Sequence, residues 1–174
     1  MLKQSIPISN LALQPFTAFD PDGVLLVSGE GVDHANPMTI SWGMFGIMWG
    51  KPVAMVMVRL TRHTWKFITE APDFTVNWLP VEMKAALSLC GTKSGREMDK
   101  FAAAGLHPVA GSAVKSPIID ESVLALECHT IYRTDLHPEQ FLDTFPLKMY
   151  ADDYHGLFFG EIVAAVGDER FRAR

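Results

Sequence analysis

Apolar residues in this chain fall mostly into short runs bounded by glycine, proline and small polar residues, the spacing expected of strands. Val24 to Val27, held between Gly23 and Ser28-Gly29, reads as a strand, and a second strand signal continues from Met38 to Met48. Gly43 and Gly46 interrupt that second signal and point to bulges or close backbone approach. Pro52 opens Val53-Ala54-Met55-Val56-Met57-Val58, whose length and β-branched content suit a strand buried on both faces. Thr61 is then expected to cap a short helix from Arg62 to Ala71, with Trp65 and Ile68 on one face and Pro72 stopping it. Phe74-Thr75-Val76-Asn77-Trp78 alternates, which places Thr75 and Asn77 on one face of a strand and apolar residues on the other.

Two helices are expected next, from Val81 to about Leu89 and from Arg96 to Ala104, the second ending at Gly105. Val123 to Tyr132 and Leu157 to Val166 return to strand patterning and are long enough for a hairpin or barrel wall, with His137-Pro138 to Asp153 as an excursion between them. About six strands with a few inserted helices predict a mainly β fold, a small barrel with helical additions, and argue against a doubly wound sheet. With no linker, repeat or low-complexity tract, the 174 residues read as one domain spanning 1–174.

Composition narrows the partners. Fifteen Lys and Arg against twenty Asp and Glu leave a net charge of -5, which supplies no basic field for nucleic acid. The N-terminal residues are too polar and broken for a signal peptide, and apolar runs such as Val53 to Val58 fall far short of the roughly 18 residues needed to cross a bilayer, so a soluble, cytoplasmic protein is expected. Cys90 and Cys128 are the only cysteines and are expected to be reduced. The methionines at 38, 44, 48, 55 and 57 read first as adaptable core filler, with Met38 or Met44 against a flat ligand as the alternative.

Several familiar sites fail on spacing. Gly29-Glu30-Gly31 lacks the third glycine of a dinucleotide fingerprint, and nothing completes a phosphate-binding P-loop. The six histidines show no pair at zinc-ligand spacing, and Gly91-Thr92-Lys93-Ser94-Gly95 is one residue too long for a nucleophile elbow. Asp152-Asp153-Tyr154-His155 reads as a solvated loop or as acid-base chemistry, with His155 the candidate catalytic residue.

Three segments carry positive candidate chemistry. Cys90 to Phe101 packs a thiol, two glycines, two hydroxyls and three cations into a turn expected to open a helix, where backbone N–H groups and positive charge favour an anion. Arg59, Thr61, Arg62 and Thr64 surround the expected start of another helix, where hydroxyls and guanidinium groups can hold a monophosphate or merely cap the helix. Asn36, Thr39 and Ser41 offer amide and hydroxyl partners for a heterocycle edge that Trp42 can shield, or form a loop running into a strand with Trp42 in the core.

Taken in order, these segments resemble the flavin reductase-like family of FMN-binding split β-barrels, most closely its flavoredoxin branch, over about Ala35 to Val166. The resemblance implies noncovalent FMN, with Asn36, Met38, Thr39, Ser41 and Trp42 at the ring and Arg59, Thr61, Arg62 and Thr64 at the phosphate. It further implies that Asn77 supports the pocket and that Cys90, Ser94, Gly95 and Lys100 complete it. His155 and Gly156 to Glu161 match the family's His-to-Gly-Glu strand. His63 departs from the aromatic residue that many relatives carry there, and the segment from Asp135 to Asp153 matches nothing in the family and is expected to shape whatever approaches the flavin. Lys100, or a protonated His129, would stabilise charge on the reduced flavin, against a surface ion pair with Glu97 for the first and an ordinary strand position for the second. A homodimer, an oxidoreductase passing electrons through FMN as a reductase or carrier, and NADH or NADPH as donor are implied. The alternatives are a noncatalytic FMN-binding or storage module, or a small-molecule barrel without flavin.

Overall fold

The computed structural model describes residues 3–19 and 23–173. A two-residue strand β1 (Gln4–Ser5) precedes β2 (Val24–Gly29), β3 (Ala35–Ile40), β4 (Gly43–Met48) and β5 (Lys51–Arg59). Helix α1 (Thr64–Glu70), strand β6 (Asp73–Trp78) and helices α2 (Lys84–Thr92) and α3 (Lys100–Ala104) follow. The chain then forms a small ribbon from β7 (Pro108–Val109) and β8 (Ile118–Ile119), and closes with β9 (Leu124–Asp135), α4 (Thr144–Leu147) and β10 (His155–Gly167).

The main sheet is antiparallel with the order β3-β2-β6-β9-β10-β5-β4, and β1 pairs with β10. Its edges, β3 and β4, stand at opposite ends of this order yet are separated in the chain by Ser41 and Trp42 alone. Residues advance at most about 3.6 Å each, so this connection forces the sheet to curl until its edges lie close together. They do not pair, which leaves a barrel split at Ser41 and Trp42.

The expected strand from Met38 to Met48 is therefore two strands. Gly43 allows the close approach its type suggests, since a Cβ there would lie 2.5 Å from the Phe19 ring and 2.7 Å from the Met55 carbonyl oxygen, whereas Gly46 faces open space. The apolar run Val24 to Val27 in β2 is explained by burial on both faces: Val24 and Leu26 enter the barrel core with Val56, Phe74, Leu126 and Phe158, while Leu25 and Val27 meet Leu87, Cys90, Phe101 and Ile119 beneath the helices. The polar face of β6 is likewise covered: Thr75 Oγ1 donates to the Pro117 carbonyl (2.7 Å), and the Ile119 N–H donates to Asn77 Oδ1 (3.0 Å).

Helix boundaries shift in ways that bear on the site. α1 begins at Thr64 after His63, and Thr61 does not cap it. α2 runs on through Cys90 and Gly91 to Thr92, so the helix expected to end at about Leu89 takes in Cys90, which was expected to lie in the turn opening the next helix. α3 starts only at Lys100, where Asp99 accepts from the Phe101 and Ala102 N–H groups, and Gly105 ends it in the left-handed conformation (φ 64°). Residues 93–99 thus form an irregular connection across the sheet rather than a helical turn. Among the described residues no helix is long and apolar enough to cross a membrane, and no cluster of side chains suited to a metal ion occurs. Both cysteines are free and buried.

Candidate functional site

Two connected cavities lie along the split. The wider, about 460 Å³, is lined by Met38 to Trp42, Met57, Arg59, Thr61, Arg62, Asp153 and His155. The narrower, about 190 Å³, shares Met38, Thr61 and Arg62 with it and continues to Thr64, Ser94, Gly95, Arg96 and Lys100. The three candidate segments converge here because β3, the end of β5 and the 93–99 connection meet at the open side of the barrel.

Buried polar contacts hold the narrow end. Asn36 Nδ2 donates to Thr64 Oγ1 (2.7 Å), tying β3 to the start of α1. Gly95 lies directly on Asn36: a Cβ at position 95 would meet Asn36 Oδ1 at 2.1 Å and the His63 ring at 2.8 Å. Arg62 Nη2 donates to the Gly91 carbonyl at the end of α2 (2.5 Å), and Arg96 Nη1 donates to the Thr61 carbonyl (3.2 Å). Lys100, 4% exposed, donates from Nζ to the Cys90 carbonyl (3.1 Å) and has no carboxylate partner among the described residues. Burial, with Arg62 nearby, brings its ammonium down to about 8. Three cations thus border one cavity, an arrangement whose chemistry suits an anionic group.

The wide end has a different character. Trp42, 38% exposed, lies with its ring centroid 5.2 Å from that of His155, and the Tyr150 hydroxyl is 3.0 Å from His155 Nδ1. Burial, reinforced by Arg59, pushes the imidazole down to about 4, against the opposing pull of Asp153. His155 is therefore neutral near pH 7. Thr61 Oγ1 donates to Asp153 Oδ2 (2.6 Å), and Arg59 reaches the same carboxylate at 4.0 Å while donating to the Met149 carbonyl (3.2 Å) and lying over the Tyr150 ring. The excursion after β9 is thereby fastened to the cleft wall, and Asp153 is part of the cavity rather than a solvated loop residue.

The structure thus brings Met38, Thr39, Ser41, Trp42, Arg59, Thr61, Arg62, Thr64, Ser94, Gly95, Lys100 and His155 to one cleft, with Asn36 directly beneath it. Some side chains are already engaged: Thr39 Oγ1 donates to the Leu87 carbonyl (2.6 Å), fixing α2 against β3. Four expectations need correction. Asn77 is fully buried and bonded to Ile119 and Leu25, which makes it a pin between β6, β8 and β2, away from the cavities. His129 is exposed on β9 and lines neither. Cys90 turns its thiol into the apolar cluster beneath the helices, where burial raises it to about 11, and contributes only its carbonyl. Lys100 is buried and lines the narrow cavity, so it is not the surface ion-pair partner of Glu97. Sequence reasoning missed Arg96 and Tyr150; the first stands in the quoted Ser-Gly-Arg stretch, but the position of the second depends on how the excursion folds back.

A mainly antiparallel barrel, split at β3 and β4 and carrying a cationic cleft along the split, defines the class as the FMN-binding split-barrel fold. The family model described as flavin reductase like domain matches residues 20–173, and the chain belongs to that family. Among solved structures it is similar to the flavoredoxin of Desulfovibrio vulgaris (Miyazaki F), with 26% identity over 97% of this chain and 78% of that one and a TM-score of 0.66. It is also similar to an FMN-binding protein from Thermus thermophilus crystallised with 1-cyclohex-2-enone, with 26% identity over 93% and 82% of the two chains and a TM-score of 0.65. A flavin reductase-like enzyme domain from Shewanella baltica OS155 shares the fold at 16% identity, covering 97% of this chain and 78% of its own, with a TM-score of 0.69. No curated protein sequence gives a significant match.

Proposed function

We propose that the whole chain forms one domain that binds FMN noncovalently and acts as an oxidoreductase, taking electrons from NADH or NADPH or from a protein donor. The observation that carries this reading is the buried Lys100 ammonium, facing a cavity with Arg62 and Arg96 and lacking a counter-ion. The donor set fits the cofactor. Lys100, Arg62, Arg96 and Ser94 would hold the phosphate, and the strip from Met38 to Trp42 would lie along the ring. The similarity to flavoredoxin and to the Thermus FMN-binding protein supports the same assignment.

When bound, FMN supplies a ring that accepts and returns electrons. The chain's own residues do the rest. Trp42 and Met57 narrow the wide cavity and limit water. Neutral His155 offers a hydrogen bond to whatever lies above the ring, and Tyr150 fixes its orientation through Nδ1. Asp153, held by Thr61 and Arg59, makes the far wall.

A homodimer accords with the outer face of β4, β5, β10 and β9. Register places Met44, Met55, Phe159 and Tyr132 in one row there, and Met44, Trp49 and Tyr132 are 57%, 65% and 48% exposed. A second copy would cover this row and the free edge of β4. A cytoplasmic location accompanies the proposal.

The test is the absorption spectrum of the purified protein, followed by anaerobic mixing with NADH and NADPH. A yellow protein that releases FMN and is bleached by a nicotinamide supports the reductase. Bleaching by a low-potential protein donor alone supports a carrier, and bleaching by neither supports a storage module. Failure to bind any flavin overturns the reading.

A further inference from the structure

Among the described residues Lys100 alone of the lysines is buried, and it lines the narrow cavity together with Arg62, Ser94 and Arg96. The groups around it have bonding capacity left over. Arg62 and Arg96 donate to the Gly91 and Thr61 carbonyls, and each guanidinium has further N–H groups to give. Ser94 Oγ accepts from the Arg96 N–H (3.2 Å), which leaves its own O–H to donate. Lys100 Nζ has the Cys90 carbonyl (3.1 Å) as its acceptor. Burial brings its ammonium down to about 8, so a neutral amine is present near neutral pH. The cavity holds about 190 Å³, below the roughly 300–1,000 Å³ of pockets for larger ligands, and suits a molecule of few atoms.

We propose that Lys100 is a modification site, acylated on Nζ by a small acyl phosphate whose phosphate is held by Arg62, Arg96 and Ser94. This rests on the phosphate end of the flavin-binding reading and not on the ring. The amine lone pair attacks the carbonyl carbon, a C–N bond forms, and the C–O bond to the phosphate breaks with its electron pair staying on the phosphate oxygen. The proton lost from Nζ goes to the departing phosphate, so the products are a neutral amide and inorganic phosphate. Two guanidinium groups stabilise the leaving group, and the cavity walls keep the carbonyl beside the amine. Other lysines lack this setting: Lys51 and Lys115 are paired with Glu161 and Glu30 at the surface, and Lys93 reaches the same cavity but is exposed. Acylation removes a cation from the cavity, so the modified chain would hold FMN more weakly and riboflavin as before.

The full chain, freed of flavin, is incubated with acetyl phosphate and in parallel with acetic anhydride, which carries no phosphate. Peptide mapping by mass spectrometry follows each lysine. The expected result with acetyl phosphate is acetylation of Lys100 about tenfold or more faster than of Lys93 or Lys115. Inorganic phosphate should suppress that preference, and acetic anhydride should not show it. Acetylation of Lys93 in place of Lys100, equal rates across the lysines, or the same preference for Lys100 with acetic anhydride overturns the proposal. FMN, where it binds, should protect Lys100, and bound FMN that leaves the acetylation rate unchanged also overturns it. A chain acetylated selectively at Lys100 that takes up no flavin keeps this proposal and loses the function proposed above, which separates the two failures.

Discussion

The Lys100 ammonium donates to the Cys90 carbonyl over 3.1 Å and meets no carboxylate among the described residues, although it is only 4% exposed. A buried cation with one neutral acceptor is costly unless a ligand completes its surroundings. Its position at the junction of the 93–99 connection and α3 is where the proposed flavin phosphate would enter the narrow cavity.

Flavin binding should therefore depend on pH. Lys100 falls from its ordinary 10.5 to about 8 in the free protein, and a bound phosphate raises it again, so binding takes up a proton above pH 8. FMN affinity should decline as pH rises from 8 to 10, and Lys100→Met should bind FMN weakly with no such slope. In the ligand-free protein the sign is opposite: the unfolded chain holds the proton more tightly, so this group makes stability rise between about pH 8 and 10.5. Fluorescence titration and denaturant unfolding across that window check both halves.

In the proposed function Arg62 would give the phosphate a charge-assisted contact, while in the structure it holds the end of α2 through Gly91. Arg62→Ala should weaken FMN by about 1.5–3 kcal/mol, roughly 10- to 150-fold, and riboflavin far less. Equal weakening of the two flavins would show that only the helix anchor had been lost.

Gly95→Ala should destabilise the protein by roughly 1–3 kcal/mol, because the added methyl overlaps the buried Asn36 amide that bonds Thr64. Urea unfolding measures this directly. Gly46→Ala, at a site open to space, is the control and should change stability little.

His155 should remain uncharged throughout catalysis. With the imidazole pushed down to about 4, pH-rate profiles between 5 and 8 should show no histidine titration. The unfolded chain takes up the proton first, so stability should fall as pH drops from about 6.5 toward 4, and His155→Gln should lessen that slope. Tyr150→Phe should slow reduction by a nicotinamide several-fold while leaving FMN affinity unchanged, since its hydroxyl contacts His155 and not the phosphate end.

The strands were legible wherever burial is symmetrical or alternates over several residues: β2, β5, β6 and the β9–β10 hairpin lie within a few residues of their expected bounds. The three segments of the cleft stood out as clusters of hydroxyls, amides and cations, but residue type alone left two of them open to an ordinary strand or helix cap, and the family resemblance joined them. Local pattern failed where the partner is distant. Thr61 looks like a cap in sequence, but the nearest acceptor is Asp153, which arrives from the far side of the excursion. Asn77 was expected to support the pocket, yet its amide oxygen accepts from Ile119 of the covering β8 strand. Cys90 and Lys100 both read as cavity residues, and only the packing of α2 and α3 sends the thiol inward and the ammonium to the anion cavity. Residue type and period by themselves determined a small barrel and the cationic segments, since both follow from near-neighbour chemistry along the chain. The split at Ser41 and Trp42, the pairing of Tyr150 with His155 and the isolation of Lys100 were decided by tertiary structure alone, because each depends on groups that meet only once the sheet has curled.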